Sequence, residues 1–599
     1  MAKYTPKKST VTSKKEKSFP FFITGLFFIA LSFFFSFYPD ITRGWGLNYI
    51  KFFSPPVIAV YYLLLFCFWF PPVNDAISKI ITRLSKKINY DFLRRYKYIL
   101  FAGISISFGF LFYLLKIKYN FLGDLDTRAK QIEEGIIIPD EYLTMLFFKH
   151  AYSFLNAKFE FTGLQTVQLF DYITGTIYIF ISLCISNITG NTPLKKISIF
   201  IAGILSSTIL LQFCGYAEIY AFPVLFLLLY LFSCILHLKG KVGIYIPLLV
   251  LMAGMGIHLM LVCMLPSFLF LFYRSVLWKH ETFRKRSTLI AIFLISLPFI
   301  YIAATKYALP YMLPFTPGEL NLMTMFSINH YNEFFNSQLL ASGIGFFIWL
   351  ITIIYSLINR IKYDATQWFF LIASVSIVGL MFVFNALRGS GDWDIFAFAA
   401  VVFNLSNVFF LIMLYDNKLF VNIKYGILMI CGFSVLHTSM WIATNKTDIS
   451  INWIEHAIVS DPANYYKQSY NNESMIASMF RANGLDNKTL EWRNIAYKKH
   501  SIDPRMGYNL ANDLNDNGQV NEAIIVLKEL VDKFPYYPFS YTFLIKIYAT
   551  NEDHISLYRI LLQMEEAYNK YTDAFNSRIS KEQMDSYSSL LNDLREQMK

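Results

Sequence analysis

The chain of 599 residues is 55% hydrophobic and 16% charged, with a mean hydropathy of +0.42; soluble domains carry about 25% charged residues. With 60 Phe and 40 Tyr it would expose large apolar patches in water, which excludes an ordinary soluble protein, and the same composition excludes intrinsic disorder. The net charge of +12 is spread over short segments between apolar runs, a distribution that fits membrane topology and not a nucleic-acid-binding face.

Residues 1–18 form a basic tail with Lys3, Lys7, Lys8, Lys14, Lys15 and Lys17. A spanning helix needs about 20 mostly apolar residues. That criterion predicts spans near 19–38, 55–72, 98–116, 163–187, 195–213, 219–238, 243–257, 259–273, 288–306, 342–359, 367–387, 395–415 and 424–442, about thirteen in all. The first run is too long for a signal peptide and lacks a small-residue cleavage site, so it reads as a retained anchor. The stretch 243–273 is too long for one straight span and reads as two short helices or one tilted one. The six cysteines (Cys67, Cys184, Cys214, Cys234, Cys263 and Cys431) lie in or beside apolar runs without CxxC spacing, and read as buried small hydrophobes.

Lys and Arg set the orientation. The tail, the segment 73–97 (Lys79, Arg83, Lys86, Lys87, Arg94, Arg95, Lys97), the pairs Lys195/Lys196, Lys239/Lys241 and Arg360/Lys362, and the segment 274–287 alternate with poorer loops and are assigned to the cytoplasm. The loop 117–162, the loop 307–341, the turns at 213–219 and 387–393, and everything after 442 are then extracytoplasmic. The expected place is an integral position in a membrane.

From 443 onward the apolar runs shorten. Gly507, Leu510, Ala511, Leu514, Ala523, Leu527 and Pro535 occupy the signature spacings of a tetratricopeptide repeat over 504–537, with Gly518 in the turn. Helices are predicted over Tyr508–Leu514 and Val520–Lys533, a degenerate unit over 538–571 and a capping helix over 574–599. Such repeats present a groove to a protein partner; the plainer reading is a small helical domain with a chance match. The expected fold class is all-α, a polytopic helical membrane domain (19–442) followed by a helical-repeat domain (443–599).

Ionisable residues at membrane level are costly, so each is a candidate for function. Asp124 and Asp126 follow Gly123 just beyond the third span; they suit a general base or a divalent cation such as Mg²⁺ or Mn²⁺, and Asp126 equally suits an N-cap on Thr127–Glu134. After Pro139 a second helix begins at Asp140. Its stripe Leu143, Leu146, Phe147, Ala151 and Phe154 fits a helix on the membrane surface or a short buried helix. Glu218 lies between Tyr216 and Tyr220, either as a site or as an interfacial acid reaching water. His258 follows Gly254–Gly256, and a lone His there is more often a packing residue. Arg388, Asp392 and Asp394 close a turn with Gly389 and Gly391; Arg suits a bidentate phosphate grip, or a pairing with the two acids. Nucleotide-binding and hydrolase signatures are absent from the sequence, which disfavours ATP-driven transport.

This layout resembles the GT-C superfamily of membrane glycosyltransferases, and is most similar to bacterial forms that end in tetratricopeptide repeats. The resemblance covers roughly 90–440 and rests on Gly123-Asp124 with its amphipathic helix, Glu218, and Asp392-Trp393-Asp394. It implies a polyprenyl-phosphate-linked sugar donor and a glycan, lipid or protein acceptor at the outer face of a bacterial inner membrane. It also implies Asp124 as base with Asp126 as its competitor. Arg388, then Lys306 and His258, would steady the leaving phosphate, with Asp392, Asp394 and Glu218 beside the substrate. Two spans precede the one before the loop, where the family usually has a single span. The competing functions are a transporter or flippase of lipid-linked glycans and a membrane-anchored assembly platform. No nucleic-acid partner and no certain cofactor is expected.

Overall fold

A computed structural model describes residues 19–38, 44–87, 90–121, 125–216, 218–277, 312–316, 324–384, 393–416, 423–459 and 472–597. Among the described residues all regular structure is helical, apart from one antiparallel bridge between Met312 and Phe384. The chain divides into two compact units, Met1–Tyr465 and Tyr466–Lys599. The break falls later than the composition change at 442. Ile449–Val459 lies beyond that change, yet it buries Trp453 and Ile454, and Trp453 Nε1 donates to Asn48 Oδ1 at 3.0 Å, which ties this helix to the first unit.

Six helices of the first unit are long and apolar enough to cross a membrane: Arg95–Leu114, Gly163–Thr189, Ala221–Leu238, Ala365–Val383, Trp393–Leu414 and Ile427–Lys446. Two further pairs meet that test together but are sharply bent, Pro55–Trp69 with Pro71–Ile77 by 80° and Ile328–Ser342 with Gly345–Ile358 by 103°. Phe22–Phe37, Tyr245–Ile257 and Leu259–Ser275 are shorter apolar helices. The predicted span 288–306 lies outside the described residues.

Local chemistry sets several boundaries. Thr162 and Gln165 form a capping box that starts Gly163–Thr189, and Asp364 with Gln367 does the same for Ala365–Val383. The predicted span 195–213 is not one α-helix. It is Pro193–Phe200, a π-turn at Ile201–Leu205 and a 3-10 helix at Thr208–Phe213. The run Ser206-Ser207-Thr208 explains the break, because its hydroxyls compete for backbone groups. Ser207 Oγ caps Ile209 N–H, and both Ser207 and Thr208 donate to the Ala341 carbonyl.

The stretch 243–273 is two pieces that reverse at His258. Leu259–Ser275 retraces Ala221–Leu238 from end to end: the Tyr220 and His258 rings are 5.3 Å apart, Tyr230 Oη and Ser267 Oγ 2.9 Å, and His237 Nε2 and Ser275 Oγ 2.6 Å. The predicted outer loop 307–341 needs a larger correction. From 328 it is the buried helix Ile328–Ser342, two of whose polar residues are bonded to the segment at Trp45: Trp45 Nε1 donates to Glu333 and Gly46 N–H to Asn336.

That helix breaks at Gly343, whose φ of +58° only glycine adopts without strain. Helix ends leave carbonyls unpaired, and inside an apolar bundle each must find a donor. Here the Leu340 carbonyl accepts from His437 Nε2 and the Ser342 carbonyl from Ser434 Oγ. Beyond the break, the Gly345 carbonyl accepts from Asn407 Nδ2. The other ring nitrogen of His437 lies 2.7 Å from the Tyr49 hydroxyl.

The second unit is a run of helix pairs: Asn472–Ala482 with Asp486–Lys499, Pro504–Asp516 with Val520–Lys533, and Pro538–Thr550 with His554–Lys570, ending in Lys581–Gln597. Proline at the first helical turn and Asp503 and Asp553 as caps start these helices. Leu510, Ala511, Leu527, Leu544, Leu561 and Leu591 belong to one continuous core. Beside it Arg493 is buried against Asp513 at 2.6 Å.

Candidate functional site

The described part of the loop predicted over 117–162, named the outer loop after that expectation, is two helices, Leu125–Glu133 and Tyr142–Phe159, joined by a single 3-10 turn at Pro139–Glu141. Its inner face is a small core in which Ile132, Met145 and Phe148 meet Val167 and Ile219. Phe147 packs between Phe170 and Phe222 at 4.8 and 4.9 Å. The loop is thereby seated on the first turns of Gly163–Thr189 and Ala221–Leu238. Glu133 Oε1 accepts the Gly163 N–H at 2.7 Å, which fastens the first loop helix to the next span. The loop's leading end is held by Lys118 and Tyr119, both bonded to Asp448. The Lys118 hydrogen bond holds the Asp448 carboxyl below the usual carboxylate range. Both partners are exposed, so the pair orients the chain and adds little stability.

One buried acid organises the interior of the site. Glu141 is 1% exposed. Its Oε1 accepts from Arg128 Nη2 at 3.2 Å, and Arg128 Nη1 also donates to Gln131. The same Oε1 lies 3.7 Å from His258 Nε2. His258 Nδ1 accepts the Met260 N–H at 3.1 Å, and Thr144 Oγ1 donates to the Ile257 carbonyl at 2.8 Å. The loop therefore grips the reversal at His258 from two sides.

From His258 the contacts continue inward. The Tyr220 ring meets Phe398 at 5.8 Å, and the Tyr216 hydroxyl accepts from Trp393 Nε1 at 3.0 Å. Glu218 is buried between these two tyrosines. Asp394 is buried in the first turn of Trp393–Asp416 and accepts the Ile395 N–H at 2.9 Å, where the helix dipole favours a negative charge. Four segments singled out along the sequence thus meet at one end of the helices: the outer loop, the Tyr216–Tyr220 turn, His258, and the start of Trp393–Asp416.

Asp124, Arg388, Asp392 and Lys306 lie outside the described residues. Asp126 falls in the first turn of Leu125–Glu133, inside the helix and not at the capping position expected for it; its side chain is likewise outside the described residues. Glu141 was not singled out from sequence. Its signal is an acid directly after Pro139-Asp140, where solvent exposure is the ordinary expectation; only the fold shows it buried against Arg128. Asp171 was also missed. It is fully buried within Gly163–Thr189, and an acid in an apolar run was a readable signal.

Among the described residues no three His, Cys, Asp or Glu side chains come together as a metal site. Asp124 and the Asp126 side chain, the donors expected to suit a divalent cation, lie outside the described residues. Comparison of the chain with family models finds no match, and comparison with curated proteins finds none.

Proposed function

We propose that the chain is a GT-C-type membrane glycosyltransferase that moves a sugar from a polyprenyl-phosphate-linked donor to an acceptor at the extracytoplasmic face. The observation that carries this reading is the meeting of the four segments through Arg128, Glu141, His258, Tyr220, Tyr216 and Trp393 at one end of the bundle. A lipid-borne headgroup and a second substrate can both reach a site at such an end.

In this reading the acceptor hydroxyl attacks the anomeric carbon while its proton passes to Asp124. The bond from that carbon to the phosphate oxygen breaks, and the lipid phosphate leaves with its electron pair. Arg388 steadies the developing charge on the phosphate. Glu141 ties Arg128 of the loop to His258. The helix pairs of the second unit are read as tetratricopeptide repeats that recruit an acceptor or protein partner.

The test is transfer by the purified protein from polyprenyl-phosphate sugars, followed by mass spectrometry of the acceptor, with Asp124→Asn as the inactive control. Donor turnover unchanged in Asp124→Asn sinks the assignment of the base. Failure of every lipid-linked donor sinks the reaction class. Orientation is checked by cysteine labelling: Lys130→Cys is expected to react from outside and Lys241→Cys only after permeabilisation.

One observation favours a second reading, a transporter of lipid-linked glycans. Ile328–Ser342 and Gly345–Ile358 form a broken helix, a device used in transporter sites, and the amides of Gln212 and Gln338 are buried without hydrogen-bond partners among the described residues. Movement of labelled lipid across proteoliposomes without transfer would select it.

A further inference from the structure

At the end of the first unit opposite the candidate site, three helices bring basic side chains together. The Gly163–Thr189 helix measures the separation. It begins beside Glu133 of the outer loop and ends beside Lys196, whose Nζ donates to Asn187 Oδ1 at 2.6 Å. Its 27 residues span about 40 Å at the rise of an α-helix.

Lys196 sits on the short helix Pro193–Phe200, next to Lys195. Lys97, near the start of Tyr90–Leu114, is close enough to repel it. Pro71–Lys87 packs against Pro193–Phe200 and completes the group. Lys79 and Arg83 lie one turn apart on this helix and are exposed. Among the described residues Lys79, Arg83, Arg95 and Lys97 have no acidic partner.

We propose that this patch binds the phosphate of an anionic phospholipid drawn from the adjoining leaflet. The inference uses the membrane placement proposed above and is independent of the glycosyltransferase chemistry. Two ammonium groups near one another, with no acidic partner among the described residues, are relieved by an anion between them. The apolar surroundings select a lipid over a soluble phosphate. Ile99 is 71% exposed and Tyr98 57%, directly after Lys97, and Ile80 is 53% exposed beside Lys79. The 80° turn at Phe70 carries Pro71–Lys87 across the direction of the preceding helix. That is the attitude of a helix in the membrane surface, with cations at headgroup level and aliphatic side chains among the acyl chains.

Native mass spectrometry of the full-length protein in detergent, with phosphatidylglycerol or phosphatidylcholine added, reads the binding directly. The wild type is expected to retain phosphatidylglycerol and to release phosphatidylcholine. Lys97→Gln/Lys196→Gln is expected to weaken retention roughly 30-fold, since each lysine near an anionic surface contributes about fivefold. Lys79→Gln/Arg83→Gln alters only exposed side chains, keeps the fold and is expected to weaken retention in the same direction. Lys239→Gln/Lys241→Gln serves as the control with unchanged retention. Equal retention of both lipids overturns the proposal, as does full retention by both patch variants. Displacement of the lipid by an equimolar concentration of glycerol phosphate overturns the lipid as occupant.

Discussion

His258 Nε2 lies 3.7 Å from the Oε1 of Glu141, the oxygen that also accepts from Arg128. A single buried carboxylate thus joins the outer loop to the point where the apolar chain reverses. Removing it takes one buried acceptor from a guanidinium that is only 15% exposed.

Glu141→Ala is therefore expected to be the most damaging single change in the loop. Breaking a buried ion pair from one side costs roughly 3–5 kcal/mol. Thermal unfolding in detergent should show a clear drop, smaller for Glu141→Gln, which keeps an acceptor. Recovery of stability in Arg128→Met/Glu141→Leu would assign the loss to the stranded charge, and an unchanged melting curve for Glu141→Ala would remove the pair from the argument.

Asp124→Asn is expected to lower transfer by roughly 10²–10⁴-fold, the usual worth of general-base assistance, while donor binding persists. Asp126→Asn is expected to be milder, because that residue lies within a helical first turn. Arg388→Ala is expected to weaken donor binding, since a phosphate contact exists already in the ground state. Turnover kinetics and lipid-binding titrations on the three variants separate these roles. Collapse in Asp126→Asn with near-normal Asp124→Asn would move the base by two residues.

Gly343→Ala tests the broken helix. The glycine has φ +58°, and a Cβ there would stand 3.3 Å from the His437 ring and 3.4 Å from Phe28. A strained residue of this kind costs of order 1–3 kcal/mol. The expected result is a lower melting temperature and reduced yield of folded protein. A substitution that is neutral in both assays would mean that the corner relaxes without cost.

The sequence disclosed what depends on composition and spacing. Apolar runs announced the long helices, and Ala523, Leu527 and Gly518 announced the Pro504–Asp516 and Val520–Lys533 pair. It also pointed to Glu218, His258 and Asp394 as outliers in their surroundings, but gave no reason for them to meet. That reason is tertiary: His258 neighbours Tyr220 only because Leu259–Ser275 folds back along Ala221–Leu238. Ile328–Ser342 was illegible for a related reason. Its Asn, His, Glu and Gln residues look like a solvated loop until Trp45 and Gly46 bond Glu333 and Asn336 and His437 takes up the Leu340 carbonyl.

The second unit carries a pH prediction. Burial pushes the Tyr537 and Tyr541 hydroxyls up to about 12. A raised pKa means that the folded state holds the proton more tightly. The associated stability is complete below the ordinary tyrosine value near ~10 and is lost as the pH rises through about 12. Residues 472–597, produced alone, are expected to unfold cooperatively over that window when followed by phenolate absorbance and circular dichroism together. An unchanged pH profile of unfolding in Tyr537→Phe/Tyr541→Phe would contradict it.

The corner at Ser342–Gly345 also constrains how the protein is made. The 15 residues of Ile328–Ser342 are too few and too polar to enter a bilayer unaided. One pair of donors for its final turn, Ser207 and Thr208, has already left the ribosome when this helix emerges; the other two, Ser434 and His437, have not. The half-helix must therefore wait, with unsatisfied carbonyls, for about ninety residues of later chain. Closure of the bundle is to that extent delayed during synthesis, and this waiting segment is where an insertase or chaperone has the most to protect.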